Sequence, residues 1–264
     1  MQAKISTLIQ GDKFPNFHTT SSLIECQQSD VRILHDPGYV YDWKKLRLSL
    51  ENKGLAVNDI THLVLSHWHI DHCGNVANFP KAKLIVSQDT VDSIRITVEG
   101  ILIAEKSGNP VQCLVDFFQS QLSKTDLIDE LDGNHSRMRA FGNMVYRNSG
   151  DWKEILRKVD LGEVCIIEDE TSCTDSPNIS FSKVSAHTKG DLIMTVTSFD
   201  EVYTFCGDII PYLQETLVFP MLTENKGAYR KAIEKLVALK SIIVPGHGES
   251  FSSDVIVQYL QETF

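Results

Sequence analysis

The sequence predicts an α/β chain folded as a four-layer αββα sandwich with a helical insertion, and three observations predict it. Runs rich in β-branched and aliphatic residues alternate with amphipathic helical stretches along most of the chain. The two halves repeat one plan: "VRILHDPG", a helix and "ITHLVLSHWH" are echoed by "EVYTFCGD", a helix and "KSIIVPGHG". Each copy is a strand ending in Asp, a helix and a strand ending in His, which sets two sheet-plus-helix halves face to face with their polar strand ends at one edge. From about residue 91 to about residue 163 the strand rhythm stops, marking an insertion over or beside that edge within a single domain, 1–264.

"KISTLIQ", "TSSLIEC" and "VRILHD" read as strands between Gly, Asp, Asn and Pro punctuation. "YDWKKLRLSLENKG" reads as a helix, with Trp43, Leu46 and Leu50 on one face and Gly54 as its stop. "ITHLVLS" is a strand, "CGNVANFP" a short helix ended by Pro80, and "AKLIVSQ" a buried strand. In the insertion "VQCLVDFFQSQL" and "DWKEILRKV" are helix-like and "DGNHSRMRAFGNMVYRNSGD" loop-like. Strands return at "EVCIIED", "NISFSKVSA", "DLIMTVTSF" and "EVYTFCGD". The helix "YRKAIEKLVALK", the strand "SIIVP" and the helix "SDVIVQYLQETF" follow.

The 42% hydrophobic and 23% charged fractions are those of a folded globular chain. Lys and Arg total 25 against 35 Asp and Glu, a formal net charge of −10 that opposes nonspecific attraction to nucleic acid or anionic lipid. A local basic patch or a metal centre still holds a phosphate in an acidic protein. "MQAKISTLIQGDKF" has no secretory apolar core, and no run approaches the ~20 apolar residues of a membrane helix. The expected home is the cytosol, with the nucleus as a second compartment and no membrane partner. Six scattered cysteines without a CxxC pair are expected as reduced thiols.

"SHWHIDHCGN" crowds His67, His69, Asp71 and His72 into six positions. Two apart on an extended segment, His67 and His69 point the same way and can grip one ion. Asp71 and His72 follow as the chain turns, and face a neighbouring position. Zinc takes imidazole nitrogen and carboxylate oxygen in roughly tetrahedral sites, so each ion needs further ligands from afar. Three stand at ends of predicted strands beside glycine: His187 in "SAHTKGD", Asp208 in "FCGDII" and His247 in "VPGHGES". His18, His35, His62 and His135 lack that setting. A lone histidine is more often a core residue than a ligand, but seven ligand-type side chains at strand ends outweigh that reading. A donor set free of cysteine points to catalysis rather than to a closed structural site. Two close divalent ions bring a bridging water to hydroxide near neutral pH, so the predicted chemistry is hydrolysis, with Asp71 as candidate catalytic proton acceptor.

In "HWHIDH", "AHTKGD", "CGD" and "PGHG", in this order, the chain resembles the metallo-β-lactamase fold hydrolases over nearly its whole length apart from the insertion. The resemblance implies the metallo-β-lactamase αββα sandwich and two Zn2+ ions per chain. His67, His69 and His187 would hold one ion, Asp71, His72 and His247 the other, and Asp208 would bridge them. Thr188 and Asp191 are expected to support His187 or its turn, because metal-bound imidazoles donate their second N–H to an oxygen. Asp36 falls where the family places a strand-end Asp and is read as structural or supporting. His35, where the family usually has an apolar residue, is expected as a buried, hydrogen-bonded histidine. Cys206 is expected as a packed thiol, the ligand-aligned position being Asp208, which speaks against β-lactam hydrolysis.

"SHWHIDHCGNVANFPKAKLIVSQD" and "VPGHGESF" are similar to a branch of zinc-dependent endoribonucleases acting on histone pre-mRNA, which implies phosphodiester hydrolysis with RNA as partner. The alternative is a lactone or thioester hydrolase on a small ester-type substrate. Tyr212 follows Asp208 near where the lactone branch puts a tyrosine on the substrate carbonyl. Persulfide dioxygenases hold a single iron in a related motif, and metal content separates them from a two-zinc hydrolase. A binding module without catalysis is a further class, against which the complete ligand set speaks. Arg137, Arg139 and Arg147, with His135 and Tyr146, form a locally basic stretch suited to phosphate or carboxylate, a solvated loop being the equal alternative. "VQCLVDFFQSQL" is expected to pack into the fold, with a cap on the site or a homodimer contact as alternatives.

Overall fold

Six strands build the first sheet: β1 (Ala3–Ile9), β2 (Ser21–Cys26), β3 (Arg32–His35), β4 (His62–Val64), β5 (Lys83–Ser87) and β6 (Val164–Ile167), in that spatial order. The β1/β2 and β2/β3 pairs are antiparallel, and β3 to β6 run parallel. The computed structural model describes residues 2–12, 18–27, 29–122, 139, 142–143, 145–147, 149–168, 176, 178–213, 217–218 and 226–263. A second sheet pairs β7 (Ile179–Val184), β8 (Asp191–Ser198) and β9 (Glu201–Gly207) antiparallel. It adds β12 (Ile242–Pro245) parallel to β9, and β13 (Phe251–Ser252) at the edge. Between them in the chain, β10 (Tyr212–Leu213) and β11 (Leu217–Val218) form a small separate hairpin.

Side-chain alternation explains the layers. In β3, β4 and β5 the residues Ile33, Val64 and Ile85 point between the sheets, while Leu34, Leu63 and Leu84 point the other way. Facing them across the sandwich are Phe181, Leu192, Met194, Phe205 and Val244. A strand buried on both faces needs a second cover, which helices supply. α1 (Trp43–Glu51) covers the first sheet with Leu46 and Leu50. The second sheet's outer face, with Ile193, Cys206 and Ile243, meets α6 (Lys226–Ala238) and α7 (Asp254–Thr263) through Ile233, Leu236 and Ile256. The observed order is helix, sheet, sheet, helix, the predicted αββα sandwich. Burying each such Leu or Ile stabilises the fold by about 1.5–3 kcal/mol.

Two readings of local structure change. Within the motif a short helix, α2 (Ile70–Cys73), begins at Ile70, while "GNVANFP" carries only a 3-10 turn at Val76–Asn78. Backbone crowding separates the two: a Cβ on Gly74 would lie 2.6 Å from the Ile70 carbonyl and 2.9 Å from the Val40 nitrogen. The buried Asn75 side chain then ties the Pro37 and Tyr39 carbonyls at 3.0 and 2.8 Å.

The second change lies between β5 and β6. α3 (Gln88–Ala104), α4 (Pro110–Leu122) and α5 (Ser149–Asp160) join α1 in the outer layer. Leu114, Val115 and Phe118 of "VQCLVDFFQSQL" are buried there, the packing reading of that helix. In the stretch read as a loop, residues 139, 142–143 and 145–147 are helical, and Val145 is buried beside Trp152, because its apolar residues close this core. Arg139 and Arg147 are exposed; His135 and Arg137 lie outside the described residues.

Candidate metal centre

All seven predicted ligands stand at one edge of the sandwich. β4 runs into His67 and His69, and α2 carries Asp71 and His72. His187 sits in the turn between β7 and β8, Asp208 follows β9, and His247 follows β12. The strand order brings both halves to this edge, so Asp71 and His247, 176 positions apart in the chain, meet.

The donor atoms converge in three overlapping groups: His67, His69 and His187; His67, His72 and Asp208; and Asp71, His72 and His247. Within each group they lie within 4.8 Å of one another. His187 Nε2 and His69 Nδ1 face each other at 3.0 Å. Asp208 stands between the two sides: its Oδ1 is 3.3 Å from His72 Nε2 and 3.4 Å from His247 Nε2, and its Oδ2 is 3.9 Å from His187 Nε2. Asp71 Oδ2 is 3.5 Å from His247 Nε2 and 3.6 Å from His72 Nε2.

The chemistry of these atoms fits metal. Among the described residues His67 Nε2, His72 Nε2 and Asp208 Oδ1 are buried without a hydrogen-bond partner. Leaving such atoms unsatisfied costs about 1–3 kcal/mol each, and a cation between them satisfies all three. Burial, reinforced by the neighbouring imidazoles, holds His67 and His69 well below the usual histidine range, so both are neutral donors at physiological pH. Burial also acts to lower His72, but the carboxylates of Asp208, Asp71 and Asp36 outweigh it and hold that imidazole well above the ordinary value. His247 is raised in the same way, chiefly by Asp208 against the effect of burial. Burial would raise Asp208, yet His247 and His72 hold it well below the carboxylate range. A cation bound here would compete with protons for His72 and His247.

Outer partners fix which nitrogen faces inward. Asp36 Oδ2 accepts from His72 Nδ1 at 2.8 Å and from Ser66 Oγ at 2.7 Å, while its Oδ1 accepts from the Ser66 amide at 2.8 Å. Ser66 Oγ also meets His67 Nδ1 at 3.0 Å. His247 Nδ1 donates to the His18 carbonyl at 2.9 Å. Asp36 itself takes a left-handed backbone, φ 47°. Ser66 and the His18 carbonyl were not singled out in the sequence; a Ser directly before the first His, facing a strand-end Asp, was the only available signal.

Thr188 and Asp191 support the turn that carries His187. The Asp191 carboxylate accepts from the Thr188 amide at 2.9 Å, the Thr188 hydroxyl at 2.6 Å and the Ala186 amide at 3.2 Å. Its burial raises the Asp191 carboxyl to about 6. Tyr212 lies in β10, half-buried, with its Cβ 3.3 Å from where a Cβ on Gly248 would stand. Cys206 is packed under α6 and α7, and burial pushes its thiol up.

His35 corrects an expectation: it is buried, but among the described residues neither ring nitrogen has a hydrogen-bond partner. Its Nδ1 stays 3.6 Å from Asp36 Oδ2, because that oxygen is already engaged by His72 and Ser66. The ring packs on Phe205 instead, with centroids 5.1 Å apart.

A model of the metallo-beta-lactamase superfamily matches residues 15–87, the segment that includes the first motif. Metallo-beta-lactamase domain-containing protein 1 of Xenopus laevis is 37% identical over 62 residues, 24% of this chain and 27% of that protein. The matched segment thus spans about a quarter of the length of that curated relative. Among solved structures, AidC, a dizinc quorum-quenching lactonase, superposes with a TM-score of 0.58 at 19% identity, over 87% of this chain and 72% of its own. A superfamily protein from Sulfolobus tokodaii superposes with a TM-score of 0.53 at 16% identity, over 98% and 85%. At these identities the likeness is one of fold. Sandwich, motif segment and donor cluster are each similar to those of the metallo-beta-lactamase superfamily.

Proposed function

We propose that the chain is a dinuclear zinc-dependent hydrolase whose substrate is an RNA phosphodiester. The observation that carries the metal reading is the convergence of three donor groups that share His67 and His72, with Asp208 between the two sides. His67, His69 and His187 would hold one ion, and Asp71, His72 and His247 the other. Bound zinc supplies Lewis acidity and activates water near neutral pH. Asp208 keeps the two half-sites at a common distance by offering one oxygen to each. Asp71 turns Oδ2 toward His72 and His247, leaving Oδ1 to take the proton from the attacking water. Its carboxylate is 24% exposed, enough to reach substrate. Asp36 and Ser66 hold His72 and His67 in one tautomer throughout.

RNA as substrate rests on the likeness of "SHWHIDHCGNVANFPKAKLIVSQD" to the endoribonuclease branch. A second reading, lactone hydrolysis, is favoured by the fold likeness to the lactonase AidC and by Tyr212 standing four positions after Asp208.

The test is purified protein with its metals quantified, assayed on a structured RNA, a lactone and a thioester beside the Asp208→Ala variant. Two zinc ions per chain and RNA cleavage that disappears in the variant are expected. Turnover confined to the lactone or thioester would replace RNA by the second reading. One iron per chain with persulfide oxidation would overturn the hydrolase.

A further inference from the structure

We propose that the helices between β5 and β6 set the geometry of the three-histidine half-site, with Ser87, Thr90 and Trp152 as its positioning residues. The inference rests on the two-metal reading above and deepens it.

Two grips carry it, one on each side of the half-site. The carbonyl of Trp68, the residue between His67 and His69, accepts from Nε1 of Trp152 at 2.9 Å. Trp152, on α5, is fully buried, and its ring lies 6.0 Å from that of Trp68. On the other side Gly190, three residues beyond His187, gives its carbonyl to two buried hydroxyls: Ser87 Oγ at 2.6 Å and Thr90 Oγ1 at 2.9 Å. Ser87 caps α3 through the Thr90 amide at 3.2 Å, so the His187 turn sits directly on the start of that helix. No side chain fits between: a Cβ on Gly190 would stand 2.4 Å from the Thr90 nitrogen. A third tie, Lys183 to Asp89 at 2.6 Å, fastens β7 to the same helical turn.

The other half-site is held differently. Its His72 and His247 are oriented by Asp36, at the end of β3, and by the His18 carbonyl, before β2. A shift of α3 therefore moves His187 while leaving those two hydrogen bonds in place, whereas α5 reaches both sides, because the Trp68 carbonyl also accepts from Cys73 Sγ, beside His72, at 3.4 Å. Half-site-selective metal affinity is the consequence of the α3 grip, and its sensitivity lies in hydroxyls that touch no metal.

The experiment measures zinc affinity by competition with a chromophoric chelator, using the full chain. Wild type comes first: fewer than two zinc ions would overturn the dinuclear reading, whatever the positioning residues do. His247→Ala then confines metal to the three-histidine half-site, and His187→Ala to the other. Adding Thr90→Val, isosteric but without the hydroxyl, removes one of the two hydroxyls on the Gly190 carbonyl and is expected to weaken zinc by about threefold or more in the His247→Ala background, below the full cost of losing a ligand's direct partner. In the His187→Ala background it should change affinity less than about twofold. Thr90→Ser restores the hydroxyl and the affinity. Equal weakening in both backgrounds, or none in the first, overturns the proposal.

Discussion

At the scale of single residues, the convergence of seven candidate donors was legible because their signals are local: a crowded HxHxDH stretch, and His or Asp beside glycine where a strand stops. What orients them was less legible. Ser66 meets Asp36, and His247 meets the His18 carbonyl, through space rather than along the chain. His35 shows the opposite failure, since burial was foreseen but the competition for Asp36 Oδ2 was not. Asp36→Asn should keep the shape of that site and remove its charge. Zinc affinity is expected to fall about 10–100-fold with little change in far-UV circular dichroism, a result that a chelator titration reads directly.

Acid should also divide the centre. His67 and His69 are held below the usual range and stay neutral as the pH falls, whereas His72 and His247 are held above it. Protons compete for the raised pair first, so the half-site of Asp71, His72 and His247 is expected to empty at a higher pH than its neighbour. Metal retained after dialysis across a pH series would show two steps; loss of both ions in one step would contradict this ordering.

At the scale of elements, the strands were readable as continuous apolar runs between Gly, Pro, Asn and Asp, because both faces of β3, β4 and β5 are buried and apolar. Elements shaped by contact were not: Gly74 and Asn75 replace an expected helix by a 3-10 turn because the neighbouring 38–40 segment presses on them. The same kind of distant contact fixes α5. Lys158 is fully buried and donates to the Pro80 and Ala82 carbonyls at 3.1 and 3.0 Å, pinning the turn that follows the metal motif. Lys158→Met keeps much of the aliphatic stem and leaves two carbonyls unpaired, a loss of about 1–3 kcal/mol. Urea unfolding of the metal-free protein measures it through the midpoint.

At the scale of the whole molecule, the repeated strand-helix-strand plan was enough to read the four layers, since each half must bury one sheet face against the other. The β10/β11 hairpin escaped because two-residue strands carry no periodicity. Metal binding should report on this architecture. With donors drawn from both halves, zinc that binds the folded state alone would add about 2.7 kcal/mol per site at 100 times its dissociation constant. Removing it with a chelator is therefore expected to lower the melting temperature by several degrees. An unchanged melting curve would separate the donor cluster from fold stability.

Because Asp208 and His247 are contributed by the second sheet, the centre also has a timetable. During synthesis His67, His69, Asp71 and His72 emerge first. At ~5–20 residues per second, roughly ten to forty seconds pass before His247 follows. Through that interval the nascent chain offers an incomplete set of imidazoles to whatever ions surround it. The set of Asp71, His72 and His247 can thus close only after β12 is made, whereas His67, His69 and His187 are all present 60 residues earlier.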